Sequence, residues 1–104
     1  MTTNEKIAIW LGLKHDWKKI WIHPNGKDFI ILDFLHDRNQ QKWIIDELIK
    51  RGYRIQITYT EYGTSANIWH NDNQTEFHKS NDKIDDSAFI ECVLELIEKE
   101  KVKC

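Results

Sequence analysis

Tyr53-Arg54-Ile55-Gln56-Ile57-Thr58-Tyr59-Thr60 alternates large apolar and polar side chains without interruption. Successive side chains of an extended chain point to opposite faces, so this octet predicts a half-buried β-strand with Tyr53, Ile55, Ile57 and Tyr59 turned to a core. The segment just before it has a different period. Gln41, Ile44, Ile45, Leu48 and Ile49 recur at helical spacing, Asp37 is placed to cap the start, and Gly52 ends the run. Asp46 with Lys50 and Glu47 with Arg51 are i,i+4 pairs in the favourable order. Helix followed at once by strand is therefore the central unit of the chain.

Working outward, Tyr62-Gly63-Thr64-Ser65 predicts a turn and residues 66–70 a second strand returning as a hairpin. Asn71-Asp72-Asn73 is another turn, and residues 75–79 are a candidate third strand. Residues 86–101 carry Phe89, Cys92, Val93, Leu96 and Ile97 on one helical face. On the other side, residues 3–11 predict a first helix. Thr2 and Glu5 have capping-box spacing and Gly12 supplies the stop. Residues 17–23 are rich in β-formers, and Pro24-Asn25-Gly26 breaks them. Phe29-Ile30-Ile31-Leu32 is either the return strand of a hairpin or a buried lead-in to the second helix; the hairpin is favoured. The order α, β(β), α, β, β, (β), α lacks the strand–helix–strand repeats of a doubly wound sheet. It predicts one α+β domain over residues 1–104: a small, mainly antiparallel sheet of three to five strands layered with three helices. Its core is expected to include Ile45, Leu48, Ile55, Ile57, Phe89, Val93 and Leu96.

Composition bounds the function. The chain has 104 residues, 40% of them hydrophobic and 31% charged, which suits one modest core. No apolar run approaches the ~18 residues that read as a membrane span, and no secretory signal pattern is visible. The expected location is the cytoplasm. Cys92 reads as a small core side chain and Cys104 as a terminal one; together they make neither a disulfide framework nor a zinc site. A net charge of -2 argues against a general electrostatic grip on nucleic acid.

The N-terminal block resembles a known family. It reads Asn4-Glu5-Lys6-Ile7-Ala8, then Trp10-Leu11-Gly12, then Trp17 and Trp21, then Pro24-Asn25-Gly26. Together with Asp33-Phe34-Leu35-His36-Asp37 and a Ser87-Ala88 helix start, it is similar to the phage ABA sandwich domain, a family of small bacteriophage and prophage proteins. The chain departs from the pattern at Leu32, where the family is expected to have proline. The resemblance implies a small layered α/β fold of unassigned role and carries over no catalytic residue.

Chemistry-bearing patterns are weak. His15, His23, His36, His70 and His78 include no i,i+4 pair, and no cysteine lies near them, so no metal site is expected. Ser65, Ser80 and Ser87 lack a nucleophile-elbow context. Asp82, Asp85 and Asp86 precede a helix, where negative charge stabilises the dipole by ~0.3–1 kcal/mol. No glycine-rich phosphate loop is present. Enzyme activity and a cofactor are therefore not expected. The unusual feature is five tryptophans. Trp43, at the edge of the second helix's stripe, and Trp69, on the strand face opposite Ile68, are the candidate interface anchors. Lys14, Trp17, Lys18, Lys19 and Trp21 interleave cations with aromatics, the pattern of a single-strand nucleic-acid site. The expectation is a phage- or prophage-encoded accessory protein that binds a host or phage protein, such as a component of a defence system. A nucleic-acid-binding module and a self-associating structural protein are the alternatives; an isologous homodimer would use the same tryptophans.

Overall fold

The computed structural model describes residues 2–18, 20–72 and 75–102, with side chains through residue 100. In chain order the elements are α1 (Thr3–Trp10), β1 (Trp21–Ile22), β2 (Phe29–Ile30), α2 (Arg38–Lys50), β3 (Tyr53–Thr60), β4 (Gly63–His70), β5 (Glu76–Asn81) and α3 (Ser87–Val102). Every strand pair is antiparallel. This is the expected α+β arrangement. Among the described residues five strands form two sheets, the hairpin β1-β2 and the three-stranded β3-β4-β5.

Helix starts follow local chemistry. At α1 the Thr2 hydroxyl accepts from the Glu5 amide while the Glu5 carboxylate accepts from the Thr2 amide, completing the capping box. At α2 the Asp37 carboxylate accepts from the amides of Asn39 and Gln40. Ahead of α3, Asp85 accepts from both the amide and the hydroxyl of Ser87, which holds its carboxyl below the usual carboxylate range.

The alternating octet becomes β3 over its full length. Its partner starts earlier than expected: Thr60 pairs with Gly63, so Gly63, Thr64 and Ser65 belong to β4 and only Glu61 and Tyr62 make the turn. Gly63 permits this. Its φ is +145°, and a Cβ there would lie 2.0 Å from the Asn81 carbonyl oxygen of β5. The third strand also forms, as β5, paired to β4 from Thr64↔Asn81 to Trp69↔Glu76. Residues 17–23 were expected to be largely extended. Only Trp21 and Ile22 are strand, because residues 16–18 turn back on themselves.

Helix α3 crosses β4 and β5, α2 lies along β3, and α1 packs on α3. Both α2 and α3 cover one face of the three-stranded sheet. Tyr53 and Tyr59 of β3 reach toward Glu100 and Asp86, and Gln41 of α2 meets Asp86 from the other side. The opposite face carries Arg54, Gln56, Thr58, Asn67, Trp69 and His78 and is polar apart from the tryptophan. Leu48, Phe89, Val93 and Leu96 are fully buried, as expected. Ile45, Ile55 and Ile57 pack against the core but are only half-buried. The reason is topological: β3 is an edge strand, with no neighbouring strand among the described residues to shield its outer side. Ile49, on the same helical stripe, is 54% exposed, whereas Phe34, which no periodicity singled out, is completely buried. Cys92 is buried beneath β4, its sulfur 3.9 Å from the Ala66 carbonyl oxygen, and burial pushes its thiol up to about 12. Cys104 and the Asn73 end of the expected turn lie outside the described residues.

Leu96→Ala removes a side chain with no exposure and is expected to cost ~2–5 kcal/mol in urea unfolding; a cost well under ~1 kcal/mol would mean that α3 is not docked as described. A glycine comparison tests the hairpin. Gly12 has φ +79° and open space around it, so Gly12→Ala should cost ~1–2 kcal/mol. Gly63→Ala should cost more in the same assay, because a backbone oxygen occupies the place of the methyl group; equal losses would refute the close approach of β4 and β5.

Candidate functional site

The described residues from 2 to 34 build a small surface that Gln40 of α2 braces. The Asp16 carboxylate accepts from the amides of Lys18 and Ile20, both at 2.9 Å, and closes a tight turn. That turn projects Trp17, which is 87% exposed, and the Lys18 ammonium sits 5.0 Å from its ring centroid. Backbone bonds from Ile22 to Lys14 and from Asp16 to Ile20 place residues 14–16 beside β1. The second turn is fixed by Asn25, whose side-chain oxygen accepts from Lys27 and Asp28 while its amide nitrogen donates to the Asp28 carboxylate at 2.8 Å. The result is a three-segment meander with two self-bonded tips.

Its pleat sorts the side chains. Trp21 and Ile30 are register partners; Trp21 is buried, with His15 edge-on at 4.9 Å. Ile22 and Phe29 are the next pair and turn the other way. Phe29 is 67% exposed, and flanking Ile20 and Ile31 are 42% and 89% exposed. The exposure of Ile31 is held in place by side-chain amides. Gln40 donates to the Ile31 carbonyl at 2.8 Å and accepts from the Asp33 amide at 2.7 Å. Asn4 donates to the Leu32 carbonyl and accepts from the Phe34 amide, both at 3.2 Å. Two amide side chains thus satisfy the backbone of residues 31–34 where a neighbouring strand would otherwise do so. An open groove of about 490 Å³, lined partly by Thr2, Asn4, Ile20, Ile30 and Ile31, runs along this region.

The residues singled out from the sequence are placed differently. Trp43 is half-buried against the core, with His23 edge-on at 5.2 Å. Trp69 is half-buried on the outer sheet face between its cross-strand neighbours Arg54 and Glu76. They are not brought together. In the lysine–tryptophan segment, Lys14, Trp17 and Lys18 are exposed, but Trp21 is only 9% exposed and offers no face for stacking. Lys19 lies outside the described residues. Sequence reasoning missed Ile20, Phe29 and Ile31. The run Phe29-Ile30-Ile31-Leu32 carried the signal: a short strand with apolar residues on both faces must expose one of them unless both are covered.

Polar side chains between the elements are engaged in holding the fold. The Glu100 carboxylate of α3 accepts from the Trp10 indole at 2.9 Å, from Arg51 at 2.9 Å and from the Tyr53 hydroxyl at 3.3 Å. Arg51 also bonds Glu47 at 3.0 Å and lies 4.5 Å above the Trp10 ring. Buried Asp86 accepts from Gln41 at 3.0 Å and from the Tyr59 hydroxyl. His36 bonds Asp33, and His70 contacts the Arg51 carbonyl and the Asp72 amide. Among the described residues, no three His, Cys, Asp or Glu side chains converge to hold a metal, and no buried side-chain nitrogen or oxygen lacks a partner. No helix among them is long and apolar enough to cross a membrane.

No known protein family, curated protein or solved structure matches this chain. The likeness to the phage family rests on the short motif patches alone.

The tyrosine ties set an alkaline limit. Burial first, then the charge and hydrogen bond of Glu100, raise Tyr53 above its ordinary value; for Tyr59 the bond to Asp86 comes first, then burial. The folded state therefore keeps protons that the unfolded chain releases. Stability from these groups is complete below the ordinary tyrosine value of 10.0 and falls as pH rises through the raised ones. Urea midpoints should drop above that pH, less steeply in Tyr53→Phe and Tyr59→Phe. Parallel pH profiles for wild type and both variants would refute the assignment.

Proposed function

We propose that this chain is a non-catalytic binding protein, a small accessory protein of phage or prophage type that covers a surface of a host or phage protein in the bacterial cytoplasm. The observation that carries this is the set of exposed apolar side chains on the meander, with Ile20, Phe29 and Ile31 along its outer side and Trp17 at one tip, on a scaffold fastened by Asp16, Asn25, Asn4 and Gln40. Side chains held in position before contact lose little conformational entropy on binding, so an apolar face of this kind is suited to recognition. Large aromatics at such a face are typical anchors. The motif resemblance supplies the phage setting, and a component of a bacterial defence system is one kind of target that fits it. Trp69 on the outer sheet face is the secondary anchor. Half-buried Trp43 contributes by supporting the meander through His23.

The test is capture of partners from bacterial lysate by wild type, Trp17→Ala with Phe29→Ser, Trp43→Ala and Trp69→Ala. A protein partner held by wild type should be lost, by roughly 2 kcal/mol or more of affinity, in the meander variant while its circular dichroism is unchanged. Trp43→Ala should lower thermal stability first. Retention of no protein by wild type overturns the proposal. So does retention only of nuclease-sensitive material that depends on Lys14 and Lys18, which would put single-stranded nucleic acid in its place.

A further inference from the structure

The two edges of the three-stranded sheet are built differently. β5 is six residues long and points a charge inward: Lys79 reaches Glu95 of α3 at 2.9 Å. A short edge strand with an inward lysine is a common device against strand pairing. β3, at the other edge, is eight residues long, with no proline and no inward charge.

The hydrogen-bond phase of β3 follows from the register. The His70 amide bonds the Thr75 carbonyl toward β5, and the Asn71 amide bonds Gly52 toward β3. Antiparallel ladders alternate, so Arg54, Gln56, Thr58 and Thr60 spend their backbone groups on β4. The amides and carbonyls of Tyr53, Ile55, Ile57 and Tyr59 point to the open edge. Among the described residues, no backbone group pairs with them.

The inner face of this strand is a palindrome. Tyr53, Ile55, Ile57 and Tyr59 read the same in both directions about Gln56. A twofold axis through Gln56 pairs Tyr53 with Tyr59 of a second copy and Ile55 with Ile57. All four are residues whose backbone groups point outward, so every pair falls in a hydrogen-bonded position, giving about eight bonds. On the outer face the same axis sets Arg54 opposite Thr58 and Gln56 opposite itself, so no like charges meet.

The neighbouring helix fits the same occupant. Arg38, Ile45 and Ile49 share one flank of α2, at i, i+7 and i+11. Helix α2 packs on β3 and turns its other flank, at Trp43, to His23 of the meander, which leaves this flank toward the open edge. Ile49 is 54% exposed and Tyr59 47% exposed, and Ile45, Ile55 and Ile57 are half-buried. We infer that the chain forms a twofold homodimer in which β3 pairs with β3 of a second copy, making a continuous six-stranded sheet with the two α2 helices side by side beneath the seam. The interface lies apart from the meander face and stands or falls independently of it.

Sedimentation of the full chain across the micromolar range should give a mass twice the 12.5 kDa of one chain. Ile57→Pro removes an outward amide that makes no bond within the chain and should give a monomer. Gln56→Lys, on the exposed face, sets two lysines against each other at the axis and should weaken dimerisation by roughly tenfold even if the proline variant folds poorly. Gln56→Cys in a Cys104→Ser background should form a disulfide between copies on mild oxidation, because a non-hydrogen-bonded pair brings the Cα atoms to about 4.5 Å. Phe29→Ser should leave the dimer intact. A wild-type monomer throughout the range overturns the inference and leaves the edge to a strand of another protein. A dimer indifferent to Ile57→Pro and Gln56→Lys but lost in Phe29→Ser overturns it in favour of the meander.

Discussion

The Glu100 carboxylate is the point at which the fold is tied. One oxygen receives the Trp10 indole and the Arg51 guanidinium, and the other receives the Tyr53 hydroxyl. These groups come from the end of α1, the cap of α2 and the start of β3, so four elements meet on one side chain of α3. Arginine is needed at the centre. Its planar fork bonds Glu47, Glu100 and the Trp10 carbonyl while its face lies over the indole, a set of contacts that lysine's single ammonium does not match. Removing the carboxylate would leave an indole N–H, a guanidinium and a phenol short of an acceptor together, and the cost of such loss is larger than the net worth of any one bond. The orientation of α1 against α3, and with it the placement of the meander that follows α1, depends on this junction.

Much of the architecture was legible because local and global preferences agree. The octet 53–60, the capping box at Thr2 and Glu5, the Asp37 cap and the stripe Phe89-Val93-Leu96 each appear as the sequence implies. What was not legible depends on neighbours. Ile55 and Leu48 look equally apolar in the chain, yet only the second is fully covered, since edge position is a property of the assembled sheet. Gln40 and Gln41 are buried polar residues whose partners, Ile31, Asp33, Leu35 and Asp86, come from other segments. The candidate surface was the least legible part. Tryptophan count drew attention to Trp43 and Trp69, but exposure is decided by what packs above a residue, and on the meander the exposed side chains are Trp17, Ile20, Phe29 and Ile31.

The surface divides into regions with separate origins. The meander is apolar on its outer side because both faces of a very short strand are hydrophobic, and only one has a core to enter. The outer face of the three-stranded sheet is polar throughout except at Trp69, the ordinary condition of an antiparallel sheet with one solvated side. The sheet edges differ again, one guarded by an inward lysine and one left regular. Binding through the first region and pairing through the last place no conflicting demands on any residue. Two copies joined at β3 would present two meanders, and a partner with repeated sites would be held by both.

The bond between Trp10 and Glu100 joins residues 90 positions apart. The β3-β4-β5 meander closes through short turns and needs little loop entropy. The junction at Glu100, by contrast, has to wait until α3 has been made. During synthesis the first 34 residues leave the ribosome with their apolar side chains long before α3 exists to anchor α1. The chain is therefore most vulnerable to aggregation early in its production, until α3 is made and Ile7 and Ala8 of α1 are buried.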